Sequence, residues 1–189
     1  MSDPTSGSGI PYRFAPTTTA AAVEAEYGGL SDGEETGVVV SVAGRLMLRR
    51  DQGKLAFGDL QDATGRVQLF ALQRSTADFE GITGLHLGDW IGVTGEVLKT
   101  RRGEQSIRVD SWVRLAEARR GFPDKWHGMT DVDTRFRQRY VDLWVTDESR
   151  AAFVARSQIM SATRRWLEDR AFIEVETPVF HPIPGGALA

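Results

Sequence analysis

The sequence predicts a mainly β protein with some α-helix, in which a five-stranded barrel precedes a helix and a further strand. From Val38 onward, apolar residues alternate with polar ones, which is the period of a half-buried strand. Between residues 147 and 170 they recur at helical spacing instead. Of the 189 residues, 41% are hydrophobic and none is cysteine, which allows a core but excludes disulfides and thiolate metal sites.

Turn signals divide the barrel region into its strands. The first strand places Leu46 and Leu48 on its apolar face and Arg45 and Arg49 on its polar face. A short helix is predicted over residues 76–83, between the third and fourth strands. This order matches a five-stranded Greek-key barrel, the OB-fold; an SH3-like barrel or an open meander is the alternative. The predicted strands cover residues 38–49, 54–60, 66–72, 89–100 and 104–115.

The chain is expected to contain four regions. The first combines a Gly- and Ser-rich tail, predicted to be disordered over residues 2–9, with a short helix over 17–27 that Thr17 or Thr18 caps. The last combines a long amphipathic helix with an apolar strand over 172–178, and these need a further layer to cover them. The regions are residues 1–36 (tail and helical segment), 37–120 (barrel), 121–146 (linker, with a new helix beginning over residues 135–140) and 147–189 (helix and strand).

The charge of the chain is unevenly distributed. The overall net charge is −3, but the barrel region has thirteen basic and ten acidic residues, a net charge of +3. Partner binding depends on such local patches more than on the total charge. No apolar run has the length of a membrane span, and the N-terminus does not resemble a signal peptide. We therefore expect a soluble, cytoplasmic protein that does not bind membranes.

Several side chains of the predicted barrel suit the binding of nucleic acid. An OB barrel binds oligonucleotides across its second and third strands and with the loops that join strands 1–2 and 4–5. Phe57 can stack on an unpaired base, and Gln68 and Glu104 can read the hydrogen-bonding edge of that base. Alternatively, Phe57 belongs to the core and the arginines are a solvated rim. The basic candidates for phosphate contacts are Arg49, Lys99, Arg101 and Arg102.

Longer strings in the sequence resemble class II lysyl-tRNA synthetases, from about Pro11 to the last residue. Aspartyl and asparaginyl synthetases share the barrel, whereas the linker strings and the GGA ending are similar to the lysyl enzymes. The strings are VAGRLMLRRDQGKLAFGDLQDATGRVQLF, LGDWIGVTGEVLKTRRGEQSIRV, FPDKWHG, RFRQRYVDL and FIEVETPVFHPIPGGALA.

The resemblance implies a role for each region. The barrel would be the anticodon-binding domain, with the tRNA for lysine as its partner and Arg50, Phe57, Gln68 and Glu104 as its anticodon-binding residues. The helix and strand near the end would be motif 1, the start of the α+β catalytic domain and the element that builds the homodimer. The resemblance places Phe153, Met160, Leu167 and Pro178 at the dimer interface and Gly185, Gly186 and Ala187 at the border of the lysine pocket.

The complete family enzyme attaches lysine to tRNA and uses ATP and Mg²⁺. The given sequence ends just after motif 1 and lacks motifs 2 and 3, which bind these cofactors, so no catalytic residue, metal site or cofactor is assigned to this chain alone. The chain is therefore interpreted as an N-terminal portion that supplies anticodon recognition. The alternatives are a free-standing OB-fold nucleic-acid-binding module and a dimerisation partner of a full-length synthetase.

We expect the 189-residue chain to be unable to activate lysine by itself. The groups that would stabilise charge at the α-phosphate of ATP belong to motifs 2 and 3. The measurement is lysine-dependent exchange of pyrophosphate into ATP by the purified chain, which should equal the blank without lysine. Exchange above that blank would contradict the expectation.

Overall fold

The structure, a computed structural model, describes residues 10–120 and 129–180, and the chain forms two compact units, Met1–Phe122 and Pro123–Ala189. The tail over residues 2–9 that was predicted to be disordered lies outside the described residues. The first unit contains α1 (Ala20–Tyr27), β1 (Glu35–Gln52), β2 (Leu55–Gln61), β3 (Arg66–Leu72), α2 (Phe79–Thr83), β4 (Trp90–Lys99) and β5 (Gln105–Ala116); the second contains α3 (Val132–Arg137), α4 (Arg139–Val145) and α5 (Asp147–Glu168).

The five strands close into a barrel in the order β1-β2-β3-β5-β4. All neighbouring strands are antiparallel except β3 and β5, which run parallel, with Gln68 next to Ser106. β1 has 18 residues, so its first half pairs with β4 and its second half with β2. This closed barrel, with α2 between the third and fourth strands, confirms the predicted fold.

The barrel encloses the core of the first unit. Inward positions of β4 and β5 are fully buried, and α1 and α2 each add side chains to the same cluster. Burying one such aliphatic side chain contributes roughly 1.5–3 kcal/mol, so the alternating pattern is the main source of stability. Fully buried aliphatic residues are Ile91, Val93, Val97, Ile107 and Val109.

A β-bulge interrupts the alternation of β1. The register of β1 against β2 shifts between Leu46 and Leu48, and Met47 is the extra residue. Beyond the bulge Arg49 lies opposite Gly58, on the inner face of the sheet. The predicted faces of Leu48 and Arg49 are therefore wrong, because one inserted residue exchanges the two faces of a strand.

α1 begins at Ala20 because the residues before it pair with β1. The backbone N–H of Thr17 donates to the carbonyl of Ser41 at 2.8 Å, and Ser41 N–H donates to the Thr17 hydroxyl at 2.9 Å. Thr19 is the N-cap, since its side chain accepts a hydrogen bond from Ala22 N–H at 3.3 Å. The prediction that Thr17 or Thr18 caps this helix is wrong.

The second unit contains the predicted helices but not the predicted strand. α3 and α4 lie where a new helix was expected to begin within the linker region, while residues 121–128 lie outside the described residues. α5 forms where the long amphipathic helix was predicted. The predicted strand over 172–178 is wrong, since these residues are exposed and have no strand assignment. A strand needs a neighbour for its backbone groups, and no second-unit segment in the described part of the chain forms one.

The close approach of β4 and β5 leads to a stability prediction. A Cβ atom at Gly95 would lie 2.0 Å from the carbonyl oxygen of Arg108, which belongs to the neighbouring backbone and cannot move aside cheaply. We expect Gly95→Ala to lower the free energy of unfolding by about 1–3 kcal/mol or more, measured by urea denaturation. Gly29→Ala is the matched control, because a Cβ there meets open space. Equal losses in both variants would contradict the packing argument.

Candidate functional site

The outer face of the sheet formed by β1, β2 and β3 carries three of the four residues predicted to bind the anticodon. Arg50 lies opposite Phe57, and Phe57 lies opposite Phe70. Residues directly opposite on neighbouring strands point to the same side of a sheet. Gln68 is two residues before Phe70 on β3 and therefore shares this face. The bulge in β1 brings Arg50 onto the same surface, while it places Arg49 on the inner side.

Phe57 and Phe70 form a flat aromatic surface on this face. Their rings stack with centroids 5.2 Å apart and planes inclined by 19°. Both side chains are half-buried, so Phe57 belongs to the outer surface and not to the core. Such a pair is suited to stacking on an unpaired base. Phe70 was not predicted, although the turn at residues 62–65 and the pairing that it sets place Phe70 opposite Phe57.

Gln68 and Glu104 lie together at a polar cavity next to this aromatic pair. The Ser106 hydroxyl donates to Oε1 of Gln68 at 2.8 Å and lies 3.2 Å from the carbonyl oxygen of Glu104. The Glu104 side chain is exposed. The cavity has a volume of about 430 Å³, which is within the range that accommodates small ligands. Its walls are formed by Ala20, Glu24, Gly28, Asp59, Arg66, Val67, Gln68, Lys99, Gly103, Glu104 and Gln105.

α1 forms one wall of this cavity and is fixed to the turn between β2 and β3 by Asp62. The Asp62 carboxylate accepts hydrogen bonds from Ala20 N–H at 2.8 Å and from Thr64 N–H at 2.6 Å. Burial alone would raise the pKa of Asp62, but hydrogen bonds from Thr64, Ala20 and Gly65 outweigh burial and hold this pKa below its usual value. Asp62 is therefore ionised at neutral pH and keeps α1 beside the cavity.

The predicted phosphate contacts occupy different positions. Arg101 and Arg102 are exposed on the turn between β4 and β5, at the edge of the cavity. Lys99 lines the cavity, but its Nζ donates to the carbonyl of Leu30 at 2.9 Å and lies 3.7 Å from Asp32. Of these three residues, only the two arginines are exposed.

Arg49 lies away from this surface. Its guanidinium donates to the carbonyl of Leu85 and pairs with Asp51 at 3.1 Å. Both partners hold the side chain on the inner face of the barrel wall. The phosphate contact predicted for Arg49 thus has no support from its placement.

A buried ionic cluster holds the helices of the second unit. Asp142 is fully buried and accepts hydrogen bonds from Arg135 Nε at 2.8 Å and from Arg139. Arg135 also donates to the Ser149 hydroxyl at 3.0 Å, which links α3 and α4 to the start of α5. Burial alone would raise the pKa of Asp142, but hydrogen bonds from Ser149, Arg135 and Thr146 and the charge of Arg135 lower this pKa to about 2.

The residues predicted at the dimer interface lie on the outside of the second unit. Phe153, Met160 and Pro178 are exposed, and Leu167 is half-buried. The guanidinium of Arg139 lies over the Phe153 ring at 5.8 Å from its centroid. Within the described residues of this unit, 129–180, the helix therefore presents an apolar face without cover. The predicted border of the lysine pocket, Gly185, Gly186 and Ala187, lies outside the described residues.

Comparison with known families matches both parts of the chain. The family of OB-fold nucleic acid binding domains that includes the tRNA anticodon-binding domain matches residues 40–115. The family of class II tRNA synthetases of the D, K and N type matches residues 131–189. The first match contains the aromatic pair and the strand and turn residues that line the polar cavity, but not the wall formed by α1. The second match contains the ionic cluster and α5.

Among these synthetases, the chain is similar to lysine–tRNA ligases. The chain is 47% identical to a lysine–tRNA ligase of Synechococcus sp. (strain RCC307) and 48% identical to one of Parasynechococcus marenigrum (strain WH8102), with 95% of the chain covered in each case. The chain is a relative of the class II lysyl-tRNA synthetases. This confirms the predicted resemblance. The chain spans 37% of the length of these two lysine–tRNA ligases.

Among the described residues, no helix is both long enough and apolar enough to span a membrane.

The ionic cluster of this synthetase relative leads to a pH prediction. Because the folded pKa of Asp142 is about 2, below its unfolded value of about 3.9, its contribution to stability is fully present above pH 4 and is lost as pH falls toward 2. We expect Asp142→Asn to lower the local stability of α3–α5 by roughly 1–3 kcal/mol at pH 6. Hydrogen exchange of peptides covering residues 132–168, corrected for intrinsic rates, measures this loss.

The control for this prediction is Asp133→Asn, which removes the exposed ion pair with Arg137. An exposed pair contributes about 0–1 kcal/mol, so its loss should be small. If the hydrogen-exchange protection of residues 132–168 in the wild-type chain does not change between pH 5 and pH 2, the role assigned to Asp142 is contradicted.

Proposed function

We propose that this chain recognises the anticodon of the tRNA for lysine through the outer face of its barrel. The observation that carries the proposal is the placement of Phe57, Phe70 and Gln68 on one face, beside a polar cavity that Glu104 also lines. This face is part of the segment matched by the anticodon-binding family. An aromatic platform next to amide and carboxylate groups suits a splayed base of single-stranded RNA.

The proposed contacts are of two kinds: contacts to bases, which recognise the sequence, and contacts to phosphates, which position the RNA. Phe57, supported by Phe70, stacks on the central anticodon base, and Gln68 and Glu104 bind base edges in the cavity. Arg50, exposed and on the same face as Phe57, contributes a donor at the margin of this site. Arg101 and Arg102 contact phosphates, which fix the position of the RNA without reading its sequence. Arg49 is left out of the proposed site because it faces the inner side.

For the protein to which this segment corresponds, we propose the activity after which its relatives are named, the ligation of lysine to tRNA. The apolar face of α5 then meets the same face of a second copy in a homodimer, as expected for motif 1. ATP and Mg²⁺ take part in the complete reaction, and the described residues contain no cluster of three ligands suited to a metal ion. We place this activity in the cytoplasm, where translation uses charged tRNA.

The aromatic platform is tested by removing its outer ring. We expect Phe57→Ala to weaken binding of an anticodon stem-loop RNA with a U-rich loop by roughly 1–3 kcal/mol, because a base loses its stacking partner. The dissociation constant is measured by fluorescence anisotropy at fixed ionic strength. Tyr12→Ala, which removes a fully exposed aromatic residue of the same unit, is the control and should leave binding unchanged. An unchanged affinity in Phe57→Ala would refute the proposed site.

The homodimer is tested by placing a charge on the apolar face of α5. We expect Met160→Glu to shift the chain from dimer to monomer in sedimentation equilibrium, because a carboxylate would be buried without a partner. Ala162→Glu introduces the same charge on the opposite side of the helix and should leave the dimer intact. A chain that is monomeric before mutation, or a dimer that tolerates Met160→Glu, would count against this interface.

A further inference from the structure

We propose that Ser106 is a positioning residue that fixes the direction of the Gln68 side-chain amide and thereby sets which base edge the cavity accepts. The inference rests on the proposed function, in which Gln68 reads an anticodon base. Ser106 is on β5, directly beside Gln68 in the parallel pairing of β3 and β5. Its side chain is fully buried, so it acts on the RNA only through its neighbours.

The hydrogen bond between these two side chains determines the orientation of the amide. The Ser106 hydroxyl has one proton, and it donates to Oε1 of Gln68 at 2.8 Å. The carbonyl of Glu104 is a more distant acceptor, at 3.2 Å from the same hydroxyl oxygen. A side-chain amide has its acceptor on one side and two donors on the other. With Oε1 held by Ser106, the Nε2 group of Gln68 is available to the cavity as a donor.

A donor at this position favours one type of base. The 4-position of uracil bears a carbonyl oxygen, which accepts a hydrogen bond from Nε2. The 4-position of cytosine bears an amino group, which is itself a donor. Thymine and cytosine differ in the same way in the major groove of DNA, where thymine presents an acceptor and cytosine a donor. Leaving such a donor unpaired in a confined site is costly. Ser106 therefore supports a preference for uracil over cytosine, although it does not contact the base.

The same hydroxyl connects the two proposed reading residues. Because Ser106 lies within hydrogen-bonding distance of Gln68 and of the Glu104 backbone, it joins the middle of the β3–β5 pair to the turn that carries Arg101 and Arg102. That turn is closed by hydrogen bonds from Thr100 N–H to the Glu104 carbonyl and from Gly103 N–H to the Thr100 carbonyl, both at 2.9 Å. Loss of the hydroxyl should thus release the amide while the turn stays closed.

The test compares two RNA hairpins that differ only in having U or C at the centre of the anticodon loop. Binding to the full 189-residue chain is measured by fluorescence anisotropy, and the ratio of the two dissociation constants is the readout. We expect the wild-type chain to prefer U by about tenfold or more, which corresponds to about 1.4 kcal/mol. Ser106→Ala should reduce this ratio at least threefold, because the amide is then free to turn and accept from cytosine.

Further variants separate positioning from a merely structural effect. Ser106→Thr keeps the hydroxyl and should retain most of the preference, and Ser111→Ala on the exposed side of β5 should not change it. In a Gln68→Ala background, Ser106→Ala should have no further effect on the ratio. Gln68→Glu keeps an acceptor for Ser106 but presents an oxygen to the cavity, so it should shift the preference toward C, a result that does not depend on the folding of Ser106→Ala.

The outcomes distinguish this inference from the function on which it depends. If the wild-type chain binds neither hairpin, or Phe57→Ala binds as well as wild type, the proposed function fails and the role of Ser106 fails with it. If binding and its dependence on Phe57 hold but Ser106→Ala keeps the full preference, only the inference is overturned. The inference is also overturned if Ser106→Ala acts equally in the Gln68→Ala background or if Gln68→Glu still favours U.

Discussion

The bulge at Met47 determines which side chains of the first strand reach the proposed RNA-binding surface. Without this extra residue, the alternation that buries Val40 and Val42 would direct Arg49 outward and Arg50 inward. With it, Arg50 joins the row formed by Phe57 and Phe70. The strand keeps its apolar residues in the core before the bulge and still presents a cation to the outer face after it. The composition of the site therefore depends on one register shift.

The polar part of the surface is held by bonds between elements distant in sequence. Asp62 fixes the start of α1 to the turn between β2 and β3, and Gln105 donates to the carbonyl of Val23 in α1 at 2.8 Å. Ser106 holds Gln68 across the parallel pair. These bonds join the walls of the cavity to the strands and to the β2–β3 turn of the closed barrel. A preorganised cavity reduces the entropy lost on binding and thereby raises affinity.

Much of this architecture was predictable from local signals. The limits of β3 and the position of α5 follow from the alternation and from the helical period, and the stretch Asp62–Gly65 marks the hairpin turn that sets Phe57 opposite Phe70. The bulge was not predictable, because Met47 fits either face of a strand and the register depends on pairing with β2. The sequence predicts Thr17 or Thr18 as the helix cap, because only tertiary pairing with Ser41 shows the other role of Thr17.

The failed strand after α5 has a different cause. Residues 172–178 have the composition of a strand, but composition does not supply the neighbour that a strand needs. The link between Ser106 and Gln68 was likewise beyond local reasoning, since the parallel β3–β5 pairing brings together residues 38 positions apart. Residue types indicated which chemistry was present, and the closed barrel decided which groups meet.

The most direct test of the account is a map of backbone amide chemical shifts during titration of the isotopically labelled chain with an anticodon stem-loop RNA. We expect the largest changes at Arg50, Phe57, Gln68 and Glu104, smaller changes at buried Ser106, and none on the opposite wall where β1 pairs with β4. Changes concentrated around Ser41 and Thr94 on that wall, with the Phe57 and Gln68 signals unmoved, would contradict it.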